Sequence, residues 1–154
     1  MSLTIQLADL DTEAFRALIA AHKSLMLEHS PPESSHALLI DGLKAKGMSV
    51  WEMRDGDRLV GCGALKALSA SAGEVKSMHT VAQLRRSGLG KQMLRHIIAE
   101  AKERYYTRLY LETGAQRAYL PARRLYEGAG FTYCGPFEGY RDDPNSVFMV
   151  MELG

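Results

Sequence analysis

The stretch of this chain best suited to chemistry is Arg85-Arg86-Ser87-Gly88-Leu89-Gly90-Lys91, where two glycines sit among basic residues. A strand-like run, Glu74 to Val81, precedes it, and a strongly helical run, Gln92 to Arg104, follows. Backbone N–H groups opening a helix are unpaired and carry the positive end of its dipole, so they can hold phosphate oxygens without a metal. Residue spacing separates the known phosphate loops. A nucleotide P-loop requires Gly-x-x-x-x-Gly-Lys-Ser/Thr, but here Arg85 replaces the first glycine and Gln92 the hydroxyl residue. A dinucleotide fingerprint begins at Gly88-Leu89-Gly90, yet Met93 occupies its third glycine position, although Glu112 falls near that pattern's ribose-binding acid. A phosphate-bearing ligand is expected, held by backbone from Arg86 through Lys91 and by arginine charge.

The flanking elements must hold that loop in place. Leu3 to Leu7 alternate as a strand, and Asp9 or Asp11 can cap a helix carrying Ala14, Leu18, Ile19, Leu25 and Met26. Pro31-Pro32 ends that helix, and Ser34 or Ser35 can cap a second, short one with Leu38, Leu39 and Leu43. Met48 to Arg54 and Arg58 to Leu65 form a hairpin around Asp55-Gly56-Asp57. In the helix after the glycine loop, Met93, Leu94, Ile97, Ile98 and Ala101 fall at core spacing, and Arg108 to Thr113 is the next strand. Ala118 to Ala129 is the last helix, ended by Gly130, with strands at Phe131 to Cys134 and Val147 to Leu153.

Composition narrows the function classes. The 154 residues suit one domain, and 19 Lys plus Arg against 18 Asp plus Glu leave no overall field for nucleic acid. Cys62 and Cys134 lack metal-ligand spacing and read as buried free thiols, so no metal is expected. No run approaches the roughly 20 apolar residues of a membrane span, so a cytoplasmic protein with no membrane partner is expected.

Two ordered motifs then carry a resemblance. Arg85-Arg86-Ser87-Gly88-Leu89-Gly90 matches Gln/Arg-x-x-Gly-x-Gly/Ala, and Ala122 to Phe131 matches Ala-x-x-Leu-Tyr-x-x-x-Gly-Phe. The chain resembles the GCN5-related N-acetyltransferase (GNAT) family. That resemblance implies an α/β fold covering residues 1–154 as one acetyltransferase-like domain. Its mixed, mostly antiparallel sheet of six or seven strands would be splayed at the cofactor site and flanked by about four helices. Acetyl-CoA would be the co-substrate, its pyrophosphate at Arg85, Arg86, Ser87, Gly88, Leu89, Gly90 and Lys91, and its pantetheine arm along Met78, His79 and Thr80. Acetyl would pass directly, within a ternary complex, to the primary amine of a small molecule, peptide or protein.

The resemblance places Tyr126 as the acid for the departing thiolate. The base stays open among Glu112, Glu74 and His79, with Glu112 the first choice although it reads equally as a charge paired with Arg117 or a capping acceptor beside Thr113, and Glu74, at a strand start, reads as structural. Tyr119 stands where many members carry a coenzyme-binding asparagine, and it could stack on the coenzyme arm or line the acceptor pocket. A noncatalytic acyl-CoA sensor and a dinucleotide-dependent oxidoreductase are the competing functions. Self-association into a homodimer is compatible with so small a domain.

Overall fold

The computed structural model describes residues 2–36, 38–85 and 87–154. Arg86, expected in the phosphate loop, lies outside the described residues. Seven strands build one sheet: β1 (Leu3–Leu7), β2 (Met48–Asp55), β3 (Arg58–Ala67), β4 (Ala72–Thr80), β5 (Arg108–Gly114), β6 (Thr132–Cys134) and β7 (Ser146–Glu152). Their spatial order is β1-β2-β3-β4-β5-β7-β6, and every neighbouring pair is antiparallel except β4–β5. The flanking helices are α1 (Glu13–His29), α2 (Ile40–Leu43), α3 (Leu89–Glu103) and α4 (Leu120–Ala129).

Strand alternation divides the core between the two faces of the sheet. Leu89, Met93, Leu94, Ile97 and Ala101 bury one stripe of α3 against Leu65, Val75, Leu109 and Leu111. On β3, Gly63 faces this helix, and a Cβ there would lie 2.7 Å from Met93 Cγ and 2.9 Å from Ile97 Cδ1. The absent side chain lets α3 lie close to the sheet. Met93 fills the contact that the dinucleotide pattern reserves for a glycine. Across the sheet, Phe15, Leu18 and Ile19 of α1 pack with Leu43, Val50, Cys62 and Ala64. Each of the buried Val, Leu, Ile, Phe and Met side chains contributes on the order of 1.5–3 kcal/mol of burial free energy.

The Asp55-Gly56-Asp57 hairpin forms as expected, with Asp55 opposite Arg58 and Gly56 at φ 59°. Other local expectations change. Thr12 caps α1, its Oγ1 accepting from Phe15 N, whereas Asp9 accepts from Asp11 N and Asp11 pairs with Arg16 and Lys44. The buried stripe of α1 runs through Phe15 and His22, and Ala14 is exposed. The prolines seed a 3₁₀ turn, Pro32–Ser34, and α2 is a single turn starting at Ile40 without a side-chain cap. Ser34 instead donates to Asp143 Oδ2 at 2.6 Å, tying this segment to the loop before β7. Tyr119 ends a 3₁₀ turn, Arg117–Tyr119, ahead of α4. Cys62 is buried and Cys134 only half-buried, both as free thiols.

One irregularity shapes everything near the glycine loop. The β3–β4 register passes from Cys62–His79 to Ala64–Lys76, so Ser77 and Met78 together oppose Gly63 as a bulge, with Ser77 at φ 55°. The parallel β4–β5 register runs from Ala72–Arg108 to Val75–Leu111 and stops there. Past that point β4 stays with β3, while Glu112, Thr113 and Gly114 of β5 pair with β7. The sheet is thereby split at its centre. Among the described residues no helix is long and apolar enough to cross a membrane.

Candidate functional site

The glycine loop lies at one end of this split. Gly88 is the N-terminal cap of α3 at φ 87°, ψ 2°, a left-handed conformation that suits glycine and disfavours any residue with a Cβ. A Cβ at Gly88 would meet nothing within 4 Å, and one at Gly90 only Leu125, at 3.4 Å. Among the described residues no side chain caps α3, which leaves the first-turn N–H groups open with the helix dipole behind them. Leu89 is buried and anchors the turn, Ser87 Oγ donates to the Leu84 carbonyl, and Arg85 Nε donates to the Thr80 carbonyl at 3.3 Å. Lys91 and Arg124 bring cationic side chains to a groove of about 420 Å³ between α3 and α4. This open, positively polarised turn fits a pyrophosphate. Among the described residues no group of three or more His, Cys, Asp or Glu could hold a metal.

A second feature occupies the split itself, a cavity of about 130 Å³ lined in part by Glu74, Lys76, Met78, Glu112, Tyr119 and Tyr126. Glu112 is brought there by β5 just past the last β4–β5 pair. Burial raises its carboxyl to about 7, helped by the nearby charges of Glu74 and Asp143 and opposed by the Ser146 hydroxyl and the Lys76 ammonium. Near neutral pH such a group both accepts and releases protons. Tyr126 reaches the cavity from α4, 8% exposed, its ring edge-on to Phe131 at 5.9 Å. Burial first, then the Glu112 charge, pushes its phenol well above the ordinary value, so it stays protonated and able to donate.

The remaining sequence candidates divide. Met78 lines the cavity and Thr80 ends β4 opposite Gly61. Tyr119 lines it as well, with its hydroxyl 2.8 Å from Ser30 Oγ and also donating to the Met26 carbonyl at 3.4 Å. A Cβ on Gly114 would fall inside the Tyr119 ring, so glycine makes room for an aromatic that joins the end of α1 to β5. Glu74 is buried and bound to its neighbours: Tyr140 Oη donates to its Oε2 at 2.6 Å and Lys76 Nζ at 3.2 Å. His79 opens away from the cavity and meets the ring of His22, which does line it.

Sequence reasoning missed His22 and Lys76. A histidine three and four residues beyond Ile19 and Leu18, on an apolar helical stripe, was the available signal for His22. Tyr140 lies in a loop without periodicity, and only the fold brings it to Lys76 Nζ, at 2.9 Å. Beyond them opens a wider groove of about 740 Å³, lined by Lys66, Tyr140, Arg141, Asp142 and Asp143 and sharing Ser35, His36 and Lys76 with the cavity.

Comparison with known proteins shows the family and the fold. The acetyltransferase (GNAT) family model matches residues 7–131. The chain is 48% identical over 149 residues to the uncharacterized N-acetyltransferase YsnE of Bacillus subtilis (strain 168), covering 97% of this chain and 99% of that protein. It is 44% identical over 150 residues to the uncharacterized N-acetyltransferase YedL of Escherichia coli (strain K12), covering 97% and 94%. Among solved structures, a Klebsiella pneumoniae protein assigned as an acyl-CoA N-acyltransferase superposes with a TM-score of 0.76 at 30% identity, covering 99% of this chain and 98% of that one. An Elizabethkingia anophelis GNAT acetyltransferase with acetyl-CoA bound superposes at 0.71 and 20% identity, over 98% of each chain, and shares the fold.

Proposed function

Because this chain belongs to the GNAT acetyltransferase family, we propose that it is an acetyl-CoA-dependent N-acyltransferase that moves acetyl to a primary amine by direct transfer. The observation that carries the reading is the coincidence of two features. An uncapped helix start at Gly88 adjoins a sheet split that holds a carboxyl of raised pKa and a buried phenol. Acetyl-CoA would supply an acyl group activated as a thioester.

The residues divide the remaining work. Backbone N–H groups from Ser87 through Lys91 bind the pyrophosphate, and the β4 edge at Met78, His79 and Thr80, free of β5 beyond Val75, takes the pantetheine arm by strand-like pairing. Glu112 receives the amine proton, directly or through solvent in the cavity, and ionises at the pH where the amine must lose it. Tyr126, held protonated, donates to the departing thiolate. The acceptor enters from the groove at Lys66 and Tyr140, whose size supports a small amine or a chain terminus.

Calorimetric titration with acetyl-CoA, followed by thiol release across a panel of amines, tests this reading. Binding at millimolar ligand or below is expected, with turnover on at least one amine. Tyr126→Phe should lower kcat by about 10²-fold while leaving acetyl-CoA affinity unchanged. No binding would sink the assignment, and binding without turnover on any amine would turn it into an acyl-CoA sensor.

A further inference from the structure

A pair of histidines lies between the cavity and a second groove, on the α1 side of the sheet. His22, 6% exposed on the buried stripe of α1, contributes to the cavity wall. Its Nδ1 lies 3.1 Å from Nδ1 of His79 on β4, with the rings edge-on at 4.8 Å and 61°. His79 forms part of a different depression, a groove of about 500 Å³ on the α1 side that also includes Leu59, Val81 and Arg85. The pair therefore has one ring on the cavity and the other on an outer groove.

A hydrogen bond between two Nδ1 atoms requires opposite neutral tautomers, one ring protonated at Nδ1 and the other at Nε2. Each Nε2 then lies on the far side of its ring from the shared bond. Among the described residues neither ring makes another hydrogen bond. The charged groups acting on the pair are cationic, Lys23 from α1 and Arg85 from the loop after β4. From β3, Cys62 contributes a thiol that burial keeps neutral, pushed up to about 12, and that donates to the Ser77 carbonyl. Burial foremost, then His79, Lys23 and Arg85, lowers His22 to about 3, and burial with Arg85 lowers His79 to about 4, so neither ring retains a proton that Glu112 releases.

We propose that His22 and His79 form a proton relay, carrying the proton lost by the acceptor amine from the cavity to the outer groove while both substrates fill the cavity mouth. The relay rests on the amine-transfer reading above. In a turnover, Glu112 takes the amine proton and passes it, through solvent in the cavity, to Nε2 of His22. The His22 Nδ1–H bond breaks as its proton crosses to Nδ1 of His79, and the His79 Nε2 proton leaves to water in the outer groove. One proton enters and one departs. Both rings end neutral with exchanged tautomers. Once product has left, the same path run in reverse takes a proton from water of the outer groove at His79 Nε2 and releases one from His22 Nε2 to water in the open cavity. The proton of that turnover thus finally leaves through the vacated mouth.

The test replaces each histidine by asparagine, whose amide can keep a hydrogen bond where Nδ1 stands but cannot pass a proton onward from Nε2. In weakly buffered solution with both substrates saturating, His79→Asn should lower kcat about tenfold or more. Acetyl-CoA affinity by calorimetry should be unchanged, and the lost rate should return as imidazole is added. His22→Asn, measured the same way, provides the readout if His79→Asn does not fold. An unchanged kcat, or a loss that imidazole does not restore, overturns the relay and makes the pair a structural pin. Wild-type protein that releases no thiol with any amine removes the transfer reading and the relay together, whereas an active wild type with unaffected variants removes the relay alone.

Discussion

Glu112 is a carboxylate placed where ionisation costs free energy and where the proposed transfer requires it. Since it accepts a proton only when charged, kcat/KM should rise with pH and level off above about 7. Glu112→Gln should abolish that rising limb and most of the turnover. The same residue makes an opposite contribution to stability. Its folded pKa lies above the ordinary 4.5, so the folded state binds the extra proton, and burial destabilises the fold only as pH rises through the interval from 4.5 to about 7. Denaturant unfolding should therefore find Glu112→Gln more stable than its parent by ~3 kcal/mol at pH 8 and equally stable at pH 4. An equal effect at both pH values would place the carboxyl outside this buried environment. The residue type and its strand were legible in the sequence. Its environment was not, because Ser146, Lys76 and Asp143 reach it from β7, β4 and a loop.

At the level of elements, the turn into α3 was the most legible part of the chain because its requirements are local. A left-handed residue must open the helix, and Gly88 supplies it. Gly88→Val should leave the buried cores in place, since among the described residues nothing lies within 4 Å of the new Cβ. Its backbone penalty, roughly 1–2 kcal/mol, would fall on the turn alone. The expected result is a loss of at least tenfold in acetyl-CoA affinity by calorimetry, with a near-native circular dichroism spectrum. Undiminished binding would move the pyrophosphate elsewhere. The cap of α1 shows the limit of such reading: Asp9, Asp11 and Thr12 all have capping side chains, and the choice of Thr12 follows from contacts to Arg16 and Lys44 that hold Asp11 outward. The bulge at Ser77 left no mark in the sequence, since serine there has no local reason to adopt φ 55°. It arises between strands, where β4 must follow β3 and leave β5.

Across the whole molecule, the seven strands fall into two groups that are each continuous in sequence. Residues 3–80 supply β1 to β4, and residues 108–152 supply β5 to β7. Among the described residues, four register pairs, Ala72–Arg108 to Val75–Leu111, bridge them within the sheet. A boundary so short should open before either group unfolds, and hydrogen exchange reads such openings one amide at a time. Exchange along Glu74, Val75, Leu109 and Leu111 should be faster than in the middle of the β2–β3 pairing. A ligand lying along the free edge of β4 and the start of α4 would touch both groups. Saturating acetyl-CoA should then slow exchange on the two sides of the boundary together, and slowing confined to one side would show that the ligand does not span it. In mechanical terms, acetyl-CoA bound as proposed would act as a clasp across the line where the two strand groups meet.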